Sequence, residues 1–188
     1  MVQLREKDLP GGKLLELAQA LKQSVGDSAL LLINERVDVA SACSVIGVQL
    51  GEEAIPTAAA REILGPEAVI GRSVHSEAGA VQAARDGSDF LIVGTMFASR
   101  SHPGEEPAGP SLVRRIVPCC NLPLIGIGGI TAENVAEVLH AGASGVAVIS
   151  SILASPDPRD AARRLKEAML ACYDGTSATA VTGGSYPE

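Results

Sequence analysis

Apolar residues come along this chain in short runs, unbroken but for Gln49: ALLLI at 29–33, IGVQL at 46–50, AVIG at 68–71, FLIVG at 90–94, PLIGI at 123–127 and GVAVI at 145–149. A strand that is apolar at successive positions, with no alternation, is buried on both faces, as in a parallel sheet covered by helices. An Ala/Leu/Glu-rich helical stretch precedes most of these runs, and in four cases a glycine, Gly26, Gly65, Gly87 or Gly142, stands between helix and strand. Glycine just past a helix takes the left-handed cap most readily, so each phrase reads as an αβ unit. Counting the opening VQL at 2–4, the pattern predicts seven strands, each followed by a helix.

Seven βα units with so little sequence between them predict an α/β fold of the TIM (β/α)8 barrel type with one unit absent. An open doubly wound sheet is the competing arrangement. The last run is followed by a helix at about 158–171, so the gap is expected at the front, with the chain starting at the second strand. Residues 1–172 then form one barrel domain. The Gly/Ser/Thr-rich segment 173–188 reads as a disordered tail. The strand edge bared by an absent first unit predicts weak stability or a homo-oligomer formed through that edge.

Length and composition change this picture little. The chain has 188 residues, 46% hydrophobic and 20% charged, enough for one continuous core. No run is long enough for a membrane span and no basic-then-apolar leader stands at the N-terminus, which makes the cytoplasm the expected location. A net charge of −7 argues against nucleic acid and membrane surfaces as partners, so an anionic ligand would need a local basic cluster. Cys43, Cys119, Cys120 and Cys172 lack metal-ligand spacing and read as buried reduced thiols.

In a barrel of this kind function sits at the C-terminal ends of the strands. Those ends carry Arg5, Lys7, Arg36, Arg72 and Arg100, from which an acidic protein could assemble an anion site. Gly128 and Gly129 end one buried strand, with Thr131 expected to cap the next helix, and Ser150 and Ser151 end the last strand. Small residues there bare backbone N–H groups, which suits a phosphate. The loop 94–110 is the longest, and its proline and glycine punctuation suits either a lid or a tolerated insertion. His75 suits helix capping or support of the site as well as acid/base work, and His140 sits where helix C-terminal carbonyls explain it. Glu35, Glu52 and Glu53 could hold a divalent cation, although acidic residues ahead of a helix also favour its dipole.

Taken in order, VQLREKD, LLINERVDVA, GVQLGEEAIP, IGRSVHS, GTMFASRSHPG, IGIGGIT and GVAVIS resemble the thiamine phosphate synthase and thiazole tautomerase family of TIM barrels, from residue 1 to about 172. The resemblance implies that family members have a further strand and helix before the QLR motif. It also implies a synthase that joins an aminopyrimidine pyrophosphate to a thiazole phosphate and releases pyrophosphate. By this likeness Gln3, Arg5, Lys7 and Asn34 hold the pyrophosphate, and Ser73 matches a serine of the synthase site. Ser99, Ser101 and His102 match a hydroxyl, hydroxyl and lysine set, with the lysine replaced. Gly128, Gly129, Ile149 and Ser150 match the thiazole phosphate cradle. The cofactor implied is Mg2+, with Glu35 at the first ligand position, where the family has Asp, and Ala54 at the second, where the carboxylate is lost. The tautomerase branch is the alternative, supported by GRSVHS and VQL, but Thr95 stands where its catalytic histidine falls. A non-catalytic relative that binds thiazole phosphate or thiamine phosphate is the other alternative. The synthase mechanism so implied is dissociative: pyrophosphate departs, and the thiazole nitrogen captures the aminopyrimidine methyl cation.

Overall fold

The computed structural model describes residues 1–98 and 106–174. Seven parallel strands lie in one sheet in strict sequence order: β1 (Val2–Leu4), β2 (Leu31–Asn34), β3 (Gly47–Leu50), β4 (Val69–Val74), β5 (Phe90–Val93), β6 (Leu124–Ile127) and β7 (Gly145–Ala147). Between them and after them run α1 (Gly11–Val25), α2 (Val37–Cys43), α3 (Thr57–Leu64), α4 (Glu77–Arg85), α5 (Pro110–Ile116), α6 (Val135–His140), α7 (Ser150–Leu153) and α8 (Pro158–Asp174). Neighbours in sequence are neighbours in the sheet throughout, which is barrel topology and not the reversing order of a doubly wound fold. Among the described residues β1 pairs with β2 alone and β7 with β6 alone, so the sheet curls without closing.

Alternation along each strand divides the core in two. Leu31, Ile33, Val48, Leu50 and Ile70 pack against Leu14, Ala18, Val39 and Ala60 of the helices. Toward the other end of the sheet, on the same outer face, Leu91, Val93 and Leu124 meet Leu112, Ile116, Val135 and Val138 in the same way. Of the four thiols expected to be buried, Cys43 and Cys120 are, whereas Cys119 is exposed at the end of its helix and Cys172 is half-buried. The intervening residues, among them Leu32, Phe90 and Ile92 with Val69, Ile125, Ile127 and Ala147, form a separate cluster that fills the barrel interior. Asn34, Gln49 and Ser73 share that inward parity on β2, β3 and β4, and Gln3 shares it on β1.

The final helix continues to Asp174, three residues beyond the sequence-based limit, because RDAARRLKEAML is strongly amphipathic and Arg163 bridges both Asp160 and Glu167 along its exposed face. No helix among the described residues is long and apolar enough to cross a membrane.

Candidate functional site

The mouth of the barrel starts with two amides on adjacent strands. Gln3 lies on β1 and Asn34 ends β2, and the register of the two strands lets Gln3 Nε2 donate to Asn34 Oδ1 at 2.8 Å. This contact fixes the orientation of both side chains: with Asn34 Oδ1 accepting, Asn34 Nδ2 is left to donate elsewhere. Just beyond β1, Arg5 and Lys7 are exposed, and neither is held by an acid or a carbonyl among the described residues. Two cations are therefore available to an anion beside the amide pair.

The other cations expected here are committed elsewhere. Arg36 donates to Asp38 through Nε at 2.9 Å, and the paired guanidinium holds Asp38 below the usual carboxylate range. Arg72 has the opposite parity to Ser73 and faces outward, where Nη1 and Nη2 donate at 2.8 Å to the carbonyls of Ile55 and Glu52. Both arginines brace loops. Arg100 lies outside the described residues, as do Ser99, Ser101 and His102.

Glu35 follows Asn34 with φ 59°, a left-handed turn that its N–H supports by donating to the Gln49 carbonyl at 2.9 Å. The turn lays the Glu35 carboxylate directly over Gly51, at the end of β3, where a side chain on residue 51 would collide with it. Ala54, three residues further along the same loop, offers no donor. Glu52 is turned to His75, with Nδ1 of the imidazole 2.9 Å from Glu52 Oε2, and its own carbonyl is held by Arg72. His75 thus supports the loop after β3, and the cap of α4 is Ser76, whose hydroxyl accepts from the Gly79 N–H at 3.0 Å. The described residues contain no group of three or more His, Cys, Asp or Glu able to enclose a metal. A donor set of one carboxylate fits magnesium only as an ion shared with substrate phosphates, which is how magnesium is commonly held.

Across the mouth, β5, β6 and β7 present backbone in place of long side chains. Gly128 and Gly129 have φ 102° and 62°. A side chain on Gly129 would bring its Cβ within 2.7 Å of the Phe97 and Ala98 carbonyls, because the segment after β5 lies against it through Met96 N–H to Ile127 O (2.8 Å) and Phe97 N–H to Gly128 O (3.0 Å). The glycine pair is thus demanded by close packing. Ser151 donates its hydroxyl to the Ile130 carbonyl, which ties the end of β7 to the loop after β6. That tie joins the two loops that carry Gly128–Gly129 and Ile149–Ser150. The N–H groups of Gly129 and Ser150 meet no acceptor among the described residues. Thr131 does not cap α6. It belongs to a turn in which its N–H donates to Asn134 Oδ1 at 2.8 Å and its hydroxyl accepts from the Glu133 N–H at 3.3 Å, and the helix begins only at Val135.

The ends of the long loop meet where Gly109 N–H donates to Thr95 O at 3.3 Å, while the stretch expected to form a lid lies outside the described residues. Gln49 was not singled out by residue chemistry. The available signal was a lone amide at an inward position of an otherwise apolar strand, and in the structure its Nε2 donates to Ser73 Oγ at 3.1 Å.

Comparison with known proteins places the chain among sequences of one kind. Residues 1–152 match the family model for thiamine monophosphate synthase. The chain is 48% identical over 168 residues to the thiamine biosynthesis bifunctional protein ThiM/ThiE of Symbiobacterium thermophilum, covering 88% of this chain and 35% of that protein. It therefore spans about a third of that relative's length. It is 46% identical over 166 residues to a putative thiamine-phosphate synthase of Geobacter sulfurreducens, covering 87% of this chain and 78% of the relative. Among solved structures, the thiamine phosphate pyrophosphorylase of Pyrococcus furiosus superposes with a TM-score of 0.83 at 36% identity over 90% of this chain and 82% of that one.

Proposed function

The chain belongs to the thiamine monophosphate synthase family, and from that premise we propose that it joins an aminopyrimidine pyrophosphate to a thiazole phosphate, releasing pyrophosphate and forming thiamine phosphate. The observation that carries this reading is the strand-end group on β1 and β2: the Gln3 and Asn34 amides locked together at 2.8 Å, with Arg5 and Lys7 unengaged beside them. Such a group suits an anion with several negative charges. It would have little purpose in the tautomerase alternative, where no pyrophosphate is handled and where Thr95 stands in place of the histidine that the likeness calls for.

In this reading Arg5 and Lys7 take the charge that grows on the departing pyrophosphate, each contact contributing about 1.5–3 kcal/mol in a desolvated site. Gln3 and Asn34 orient it. The small-residue side, Gly128, Gly129, Ile149 and Ser150, holds the thiazole phosphate through backbone N–H groups, with Ser99, Ser101 and His102 assigned to substrate binding by family likeness. Ser73 faces the pyrimidine from β4. No nucleophile or strong base is required, because the chemistry is departure of a good leaving group followed by capture of a cation by the thiazole nitrogen, so the protein contributes position and charge. Glu35 would hold magnesium together with the substrate's phosphates. When bound, the ion supplies positive charge to the leaving group.

The test is formation of thiamine phosphate from the two substrates across a magnesium titration. Product that requires magnesium and falls steeply in Glu35→Gln supports the reading. Isomerisation of a thiazole carboxylate phosphate with no thiamine phosphate would move the chain to the tautomerase branch, and neither activity would leave a phosphate-binding relative.

A further inference from the structure

The Glu35 carboxylate is seated by a loop to which it does not belong. Glu35 is half-buried, and its Oε1 fills the space where a side chain on Gly51 would stand. Gly51 opens a tight turn, closed by the Ala54 N–H donating to the Gly51 carbonyl at 3.1 Å, with Glu52 and Glu53 at its corners. Ala54 reaches the core, but Glu52, Glu53, Ile55 and Pro56 are exposed. A short segment with so few buried contacts opens easily unless something else holds it.

Two side chains from β4 and its end supply that hold. Arg72, half-buried on the outer face of β4, bridges the turn, with Nη1 donating to the Ile55 carbonyl and Nη2 to the Glu52 carbonyl, both at 2.8 Å. A planar guanidinium with donors in a fixed fork sets the spacing of two carbonyls, which the point charge of a lysine cannot do. His75 holds the Glu52 carboxylate through Nδ1 at 2.9 Å. Glu52 is thus gripped by main chain and side chain alike, and Glu35 rests on the residue beside it.

Resting on the synthase reading, in which Glu35 shares magnesium with the substrate's phosphates, we infer that Arg72 is a positioning residue for that carboxylate: it clamps the turn after β3, and the turn, through Gly51, seats Glu35. With Ala54 at the family's second ligand position, one protein carboxylate serves the ion, so any looseness in it passes straight into the affinity for magnesium. Residue 51 is then glycine because the space of its missing side chain is the seat.

Calorimetry of inorganic pyrophosphate with and without magnesium reads the ion without turnover. In the wild-type chain magnesium should tighten pyrophosphate binding. Arg72→Ala should lose about tenfold of that tightening while pyrophosphate alone binds as before. The magnesium concentration giving half-maximal formation of thiamine phosphate should rise in step, with the rate at saturating magnesium little changed. Gly51→Ala, which sets a methyl group against the flexible Glu35 carboxylate and leaves the clamp in place, should give the same loss. Combining Arg72→Ala with Glu35→Gln should bind magnesium pyrophosphate no worse than Glu35→Gln alone, because the clamp acts through Glu35. A folded Arg72→Ala that keeps the full magnesium effect, or a double variant in which the two losses add, overturns the inference and leaves the synthase reading intact if thiamine phosphate is still formed. Should Arg72→Ala fail to fold, an undiminished magnesium effect in Gly51→Ala overturns it instead. A wild-type chain whose pyrophosphate affinity ignores magnesium also overturns the inference, and thiamine phosphate formation then decides the synthase reading separately.

Discussion

The two sides of the barrel mouth are built from different materials. On β1 to β4 the inward positions nearest the mouth carry long or polar side chains, Gln3, Asn34, Gln49 and Ser73, linked in two pairs by hydrogen bonds. On β5 to β7 the inward residues are Phe90, Ile92, Ile127 and Ala147, and above them come the glycine pair and Ser150. In the proposed reading the first side recognises with side chains whose orientation is fixed by neighbours. In the same reading the second recognises with backbone, at glycines against which the segment after β5 packs closely. A substrate pair with one highly charged, heteroaromatic partner and one singly phosphorylated partner suits this division, since side-chain amides discriminate edges while backbone amides suffice for a phosphate.

The comparison breaks if a change on one side alters binding on the other. The largest effect is expected from Gly129→Asp, which places a carboxylate before the amides and forces a side chain onto a residue with φ 62° and no room for a Cβ. Calorimetry should show thiazole phosphate binding abolished while pyrophosphate binding persists, and a thermal melt should show reduced stability. Arg5→Ala should weaken pyrophosphate binding by about tenfold to a hundredfold, the loss of one charge-assisted contact, and leave thiazole phosphate affinity within error. Ala54→Asp adds the second carboxylate to the Glu35 side of the mouth, and the magnesium concentration giving half-maximal rate should fall several-fold, read from a magnesium titration of product formation.

The smallest effect belongs to Arg36, which faces Asp38 and not the ligand. Arg36→Ala should leave pyrophosphate affinity unchanged and lower stability by less than about 1 kcal/mol, since the pair is largely exposed. The sign with pH follows from the depressed Asp38 carboxyl: the contribution is complete above the unfolded carboxylate range and is lost as pH falls through the lower folded value. Urea melts of both proteins at neutral pH and at pH below that range should therefore converge in acid.

Much of the fold was legible in the sequence because buried parallel strands advertise themselves. Runs such as FLIV and LLIN have no other economical reading, and the glycines ahead of four of the strands mark where the preceding helix stops. Site residues whose place depends on strand parity were partly legible: Gln3 and Asn34, inward amides at the ends of adjacent strands, meet across β1 and β2. Arg72 was misread as a site cation because its neighbour Ser73 faces inward and a strand turns successive side chains to opposite faces. Arg36 was misread because an acid two residues on, in the first turn of α2, captures it, a local pairing that strand ends alone do not reveal. Thr131 resembled a cap, but the turn through Asn134 delays the helix to Val135. Gln49 escaped notice because only the fold shows that its oxygen is left without a partner.

The most direct test of the central claim, that the two sides hold two different anions at once, is calorimetric titration of thiazole phosphate into the wild-type chain with and without saturating magnesium pyrophosphate. The account predicts one thiazole phosphate per chain in both cases, with pyrophosphate failing to displace it. Competition, in which saturating pyrophosphate abolishes thiazole phosphate binding, would mean a single anion site and would contradict the account.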